Sequence, residues 1–180
     1  MPFAGLNQSA ARLAECLKAR STRIVCAESC TGGLVSAALA QIPGISEFHC
    51  GSAVVYRLDT KTQWLDVPAA ILLDPGPVSD VVARAMVAGV LHHTPAAEWA
   101  AAITGHLGPH APVEQDGLVY IGIGRRQPGE STVNAIAVTP HHLGDPHPLG
   151  TTPEMSLRVR RQIRAAELVL ETLTTAIVAS

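Results

Sequence analysis

Two hydrophobic periods alternate along this chain, and no other feature restricts its fold as much. Apolar residues recur at helical spacing over residues 5–20 (Leu6, Ala10, Leu13, Ala14, Leu17), opposite a polar face carrying Arg12, Glu15 and Lys18. A short β-prone run, Thr22 to Ala27, then enters a Ser-Cys-Thr-Gly-Gly turn and an apolar helix from Leu34 to Ile42, stopped by Pro43-Gly44. Residues 50–57 read as a second strand, and Asp59 is placed to cap a short helix carrying Lys61 and Leu65. Val78-Ser79-Asp80 opens another helix, lined by Val82, Met86, Gly89 and Val90 and ended by His92-His93-Thr94-Pro95. Strands follow at Ala100–Thr104, 117–124 and 131–138, the last two joined by Gln127-Pro128-Gly129. Thr139 to Pro153, rich in Pro, His and Gly, reads as a surface loop. The final helix has one stripe of Val159, Ile163, Ala166, Leu170, Leu173 and Ile177.

Strands that alternate with helices imply a sheet covered on both faces. The expected fold is α/β: a single three-layer α/β/α domain over residues 1–180, with a mostly parallel or mixed central sheet. At 180 residues and 47% hydrophobic content the chain can bury one core, and with only 3% aromatic residues that core must be aliphatic.

The same composition excludes several functions. A net charge of -2 and a pI near 6.4 leave no basic face for a nucleic-acid backbone. No apolar run approaches the ~20 residues that cross a bilayer, and Met1-Pro2-Phe3-Ala4 does not begin like a signal peptide. A soluble cytoplasmic protein without nucleic-acid or membrane partners is expected. Cys16, Cys26, Cys30 and Cys50 form no CxxC pair, which argues against a zinc site and a disulfide framework. His106, His110, His141, His142 and His147 are spaced too loosely, without a carboxylate cluster, to suggest a metal.

The chemistry concentrates in Ala27-Glu28-Ser29-Cys30-Thr31-Gly32-Gly33. A hydroxyl at the carboxyl end of a strand, followed by Thr-Gly-Gly and a helix, lies beside backbone N–H groups that stabilise anions. A plain structural role also fits, with Ser29 or Thr31 as the N-cap of the following helix. Cys30 is a rival nucleophile, because a helix start can lower a thiol pKa, but no histidine lies near it in sequence. Glu28 is either an acid–base group or a carboxylate fixing the turn through backbone N–H bonds.

Ala27 to Gly33 matches the signature of the CinA-like (competence/damage-inducible protein C-terminal domain) family. Pro43-Gly44, Ser46, Phe48, Gly51, Tyr56 and Lys61 are similar to the family's next block at its spacing. Pro77-Val78-Ser79, Ile103-Thr104-Gly105, Gly108-Pro109 and the Gly117 to Gly122 strand resemble its later segments. The resemblance covers most of residues 5–178. It implies a nicotinamide mononucleotide deamidase, releasing ammonia and nicotinate mononucleotide without metal or cofactor. Ser29 would be the nucleophile, Lys61 its base and Tyr56 a neighbour, with Cys30, Thr31, Gly32, Gly33, Thr104, Gly105, Arg158 and Arg160 around the substrate and its oxyanion. In that scheme the backbone amides of residues 31–33 hold the oxyanion. The expected partners are a small nucleotide substrate and further copies of the chain in a homo-oligomer. Longer members carry another N-terminal domain that these 180 residues do not include.

On residue chemistry alone Lys61 is otherwise a solvated surface lysine and Tyr56 a half-buried strand aromatic. A lysine in the first turn of a helix, however, faces the positive end of the dipole, which lowers its pKa and suits a base.

Two segments depart from the family pattern. The turn Gly105 to Pro112 has lost a Gly-Gly and is shorter, and Ser156 stands where an arginine before the last helix would fall. Arg158 or Arg160 is positioned to replace its phosphate contact. The basic run Arg158, Arg160, Arg161, Arg164 otherwise reads as a solvated face without acidic partners, or as a subunit contact. The altered segments keep a second function open, a nucleotide-binding module of the same fold without turnover, or an amidase with a changed substrate.

Overall fold

The chain, analysed as a computed structural model, is described for residues 3–126, 133–152 and 154–180. It runs α1 (Ala4–Arg20), β1 (Ile24–Glu28), α2 (Leu34–Ala40), β2 (His49–Val54), α3 (Leu58–Leu65), α4 (Ala69–Leu73), α5 (Asp80–His92), β3 (Trp99–Gly105), β4 (Leu118–Arg126), β5 (Val133–His142) and α6 (Leu157–Val178). The strands form one mixed sheet ordered β2-β1-β3-β4-β5. The three strands at the β2 end are parallel, with β1 between β2 and β3, whereas β4 and β5 are antiparallel additions.

Helices cover both faces, so the three-layer α/β/α expectation holds. On one side α1, α2 and α6 pack Leu6, Leu13, Leu17, Val35, Leu170 and Leu173 against the sheet. On the other, α3, α4 and α5 bring Leu65, Leu72, Val82, Met86 and Val87. All five residues of β1 are buried, which is why the strand reads as a continuous apolar run ending in one carboxylate. Gly89 permits the closest helix contact: a Cβ there would lie 2.0 Å from the Leu65 carbonyl oxygen, so α5 passes α3 only without a side chain.

Several boundaries differ from the sequence reading. Val159 leaves the α6 stripe and is 37% exposed, because it lies in the first turn, before the helix meets the sheet. β5 continues through Thr139–His142, paired with Leu118 to Ile121, so the expected loop begins later and His141 and His142 are strand residues. The five-residue α4 is too short for periodicity to show. The Gln127-Pro128-Gly129 turn lies outside the described residues. No helix among the described residues is long and apolar enough to cross a membrane.

The topology fixes the position of the site. Ligands of open α/β sheets gather at the carboxyl ends of the parallel strands. Here those ends are stitched together: the Ser29 amide donates to Ile103 O at 3.1 Å, and the Val55 amide to Glu28 O at 2.8 Å. Ser29, Val55-Tyr56 and Thr104 therefore emerge side by side.

Candidate active site

The turn after β1 is organised by Glu28. This carboxylate is 1% exposed and accepts five hydrogen bonds: from the Thr31 hydroxyl (2.8 Å), the amides of Gly33 (3.0 Å), Val35 (3.1 Å) and Ser36 (3.0 Å), and the Ser52 hydroxyl (3.0 Å). An anion thus fills the N-terminus of α2 and satisfies its orphan amides, as a side-chain cap would. Of the two roles open to Glu28, fixing the turn is the one these contacts describe. Neither Ser29 nor Thr31 caps α2, whose N-cap residue is Gly33 in the left-handed region at φ 97°. With its amide bound to β3 and no capping duty, Ser29 is free to present its hydroxyl.

Lys61 arrives from α3. The helix begins on Arg57 rather than on the expected Asp59, which instead accepts from the exposed Arg57 guanidinium at 3.0 Å and sits at the second helical position. Lys61 is therefore in the first turn, yet its long side chain is 1% exposed and lies beneath the strand ends. Its Nζ donates to Ser29 Oγ at 2.9 Å and to Val55 O at 2.7 Å. No carboxylate pairs with it among the described residues. Burial pushes the ammonium from its ordinary 10.5 down to about 8, against a smaller opposing effect of the Cys30 sulfur. Burial also pushes the Cys30 thiol up to about 12, outweighing its own amide and Lys61, so this thiol stays protonated near neutrality.

Ser29, Cys30, Tyr56, Lys61, Thr104, Gly105 and Arg158 line one cavity of about 250 Å³, its outer wall formed by residues 106–111. Tyr56, 56% exposed at the mouth, accepts a 2.7 Å hydrogen bond from Arg158 Nη2, while Arg158 Nη1 donates to Gly108 O. Arg158 thus reaches from α6 across the opening. The Thr104 hydroxyl donates to Pro77 O at 2.8 Å, tying the wall after β3 to the segment before α5.

Four expected site residues, Thr31, Gly32, Gly33 and Arg160, do not line the cavity, and the Thr31 hydroxyl is turned to Glu28. Gly32 N already donates to Ser29 O at 3.0 Å and Gly33 N to Glu28, so neither amide is available for an oxyanion. The Thr31 amide has no protein acceptor among the described residues, and that of Cys30 reaches only its own sulfur. Arg160 points away: its guanidinium donates to Pro146 O at 3.2 Å, to Met155 O and to Asp145, and so ties down the segment before α6. Positions 158 and 160 are about 200° apart around a helix, so only one can face a given cavity.

The basic run on α6 is not a bare solvated face. Arg161, 5% exposed, makes a bidentate pair with Asp116 at 2.8 Å for both bonds, and also donates to Gly144 O (2.7 Å) and Leu107 O (3.4 Å). Arg164 pairs with Glu167 and Glu171 at 3.1 and 3.2 Å. Sequence reading missed these acids because Asp116 is 45 positions away and the glutamates lie on the following turns. It also missed that Ser156, where an arginine was expected, is the N-cap of α6, accepting from Val159 N at 3.3 Å. A serine before a long amphipathic helix is the signal that could have found it.

The family model for the CinA C-terminal domain matches residues 6–140. The chain belongs to the CinA C-terminal domain family. Curated relatives include a CinA-like protein of Gloeobacter violaceus, 40% identical over 61% of this chain and 26% of its own length, and one of Parasynechococcus marenigrum, 33% identical over 77% and 33%. The chain spans about a quarter to a third of the length of the curated relatives it matches. Among solved structures, the competence/damage inducible protein CihA of Agrobacterium tumefaciens superposes with TM-score 0.79 at 28% identity, covering 98% of each chain. A CinA superfamily protein of Klebsiella pneumoniae, at 23% identity and TM-score 0.80 over 97% and 99%, shares the fold. The CinA model match stops before α6, the helix that supplies Arg158 and Arg161.

Proposed function

We propose that this CinA-family chain is an amidohydrolase that cleaves the carboxamide of nicotinamide mononucleotide through a Ser29–Lys61 pair. The observation that carries the reading is the 2.9 Å contact between Lys61 Nζ and Ser29 Oγ inside the cavity, with the lysine buried and its pKa brought down to about 8. A serine hydroxyl attacks an amide only while a base takes its proton, and a base works best with a pKa near the operating pH. A buried lysine without a carboxylate partner is otherwise a cost to folding, and a binding module of the same fold has no use for it.

In this scheme neutral Lys61 donates one N–H to Val55 O, which aims the lone pair at Ser29. Ser29 Oγ attacks the carboxamide carbon as its proton passes to Lys61. The oxyanion is held by a main-chain donor of the turn, for which the amide of Cys30, the turn residue after Ser29 that lines the cavity, replaces the committed amides of Gly32 and Gly33. Lys61 returns the proton to the leaving nitrogen, the C–N bond breaks, and ammonia departs. Water, deprotonated by the same lysine, then attacks the acyl carbon, the ester bond to Ser29 Oγ breaks, and the lysine returns the proton to Ser29 as the carboxylate product leaves. Arg158 at the mouth offers a cation to the substrate's phosphate, and Tyr56 holds that cation in place. Every proton in the cycle moves through this chain's own side chains.

Ammonia release from nicotinamide mononucleotide tests the proposal. Ser29→Ala should lower kcat by at least about 10³-fold with an unchanged thermal melt, as removal of a nucleophile does elsewhere. Equal turnover by the variant and the wild type rejects Ser29 as the nucleophile.

A further inference from the structure

The cavity at Ser29, at about 250 Å³, is smaller than the ~300–1,000 Å³ usual for whole small-molecule sites. A second cavity of about 710 Å³ adjoins it, sharing the wall of residues 107–111 and the side chain of Arg158. Its other walls come from Val113, Asp116, Ser156, Leu157 and Arg161. Two of these are apolar groups left open to solvent: Val113 is 89% exposed and Leu157 37%. A ligand seated at Ser29 that outgrows the first cavity therefore passes Arg158 and enters the second.

The charges along that path limit what can lie at each point. Arg158 is the one guanidinium or ammonium lining both cavities, and its contacts are to the Tyr56 phenol and a carbonyl, not to a carboxylate. It can receive an anion at the boundary. Beyond it the other guanidinium of the second cavity, that of Arg161, is spent on Asp116 in a bidentate pair, and the Asp116 carboxylate itself lines the wall. A terminal phosphate dianion lying there would meet the Asp116 carboxylate and apolar side chains that offer it no hydrogen bond. A neutral, flat, mostly apolar group would cover those side chains with gain.

Resting on the amidohydrolase reading of the first cavity, we infer that this chain's preferred ligand is a nicotinamide-containing dinucleotide. Its nicotinamide nucleoside sits at Ser29, its phosphates at Arg158 and its second nucleoside against Leu157 and Val113. The reaction is the same hydrolysis: water is consumed, the carboxamide C–N bond breaks, and ammonia and the nicotinate dinucleotide form.

Binding and turnover separate this proposal from the reading beneath it. With Ser29→Ala, which cannot turn over, calorimetry should give a Kd for nicotinamide adenine dinucleotide at least about tenfold below that for nicotinamide mononucleotide. Leu157→Gln or Val113→Gln, uncharged changes at exposed positions, should erase most of that advantage and leave the mononucleotide Kd unchanged. Equal Kd values, or a preference indifferent to both substitutions, overturns the second-nucleoside site. Ammonia release by the protein with Ser29 intact is read in parallel. Preferential dinucleotide binding without ammonia from either nucleotide sinks the amidohydrolase reading and keeps the site. Ammonia from the mononucleotide with no dinucleotide preference does the reverse.

Discussion

The two walls of the cavity are held in opposite ways. The inner wall, Glu28 to Ser36, is fixed from within by a single buried carboxylate that gathers four donors over a few residues, with a fifth from Ser52 on β2. The outer wall, residues 105–117, has little local pairing and is fixed from outside by α6, through Arg158 on Gly108 O and through Arg161, whose guanidinium binds Asp116, Leu107 O and Gly144 O. Gly117, at φ 76°, lets the chain lie against that guanidinium: a Cβ there would come within 3.2 Å of its central carbon. The inner wall carries the nucleophile and needs a geometry that cannot drift. The outer wall contacts the rest of the ligand, and its shape can change with its distant anchors on α6. The family match covers the residues of both walls and stops short of α6, the helix that anchors the outer one.

Lys61 should give the largest effect on the inner side. Lys61→Met is expected to lower kcat/KM by roughly 10³-fold or more, since the serine loses its base. In the wild type, kcat/KM should climb about tenfold per pH unit below pH 8 and level off above it, because the base must be neutral. Linkage runs in the same direction. The unfolded chain keeps the Lys61 proton up to about 10.5 and the folded chain loses it near 8, so unfolded molecules bind more protons in that window. The stability of the wild type relative to Lys61→Met should therefore rise between pH 8 and 10.5, read by denaturant titration at each pH. A flat difference would mean that the amine is not desolvated.

Glu28→Gln comes next and bears directly on the contrast. An amide offers one acceptor oxygen where the carboxylate offers two, so buried donors of α2 go unmet, at about 1–3 kcal/mol each. A loss on the order of 4 kcal/mol in unfolding free energy is expected, with activity falling as the turn loosens. If the variant is as stable as the wild type, the inner wall is not built on this carboxylate.

Arg161→Lys should act on the outer wall alone. Lysine keeps the charge but cannot form the bidentate pair or span two carbonyls. The expected outcome is a rise in KM of about tenfold with kcat within about threefold, the pattern of lost ground-state binding. An equal fall in kcat would show that the two walls are coupled. Cys30→Ala should have the smallest effect, within about threefold in kcat/KM, since a thiol held at about 12 contributes no thiolate at neutral pH.

Legibility in the sequence follows the range of the interaction. α1, α5 and α6 were readable because a helix buries one face and writes that face at period 3.6, and β1 because a strand covered on both sides is apolar throughout. The turn at Ser29 was readable because Gly32 and Gly33 are needed locally, at φ 64° and 97°. The four arginines of α6 looked alike in sequence, yet Arg158 crosses the cavity mouth, Arg160 ties a loop, Arg161 braces a wall and Arg164 pairs within its own helix. Each residue turns about 100° around the axis, so neighbours of one chemistry meet different surroundings.

By itself, then, the sequence determined the α/β layering, the order of the elements and a polar turn after the first strand, because each is specified by side chains near one another in the chain. Tertiary structure alone decided that β1 lies between two parallel neighbours, and that Lys61 reaches across 32 positions to Ser29 under a covering that lowers its pKa. Only folding also commits the amides of Gly32 and Gly33 and leaves Arg158 at the opening. Desolvation and hydrogen-bond competition are properties of the assembled surroundings, and no local pattern of residues records them.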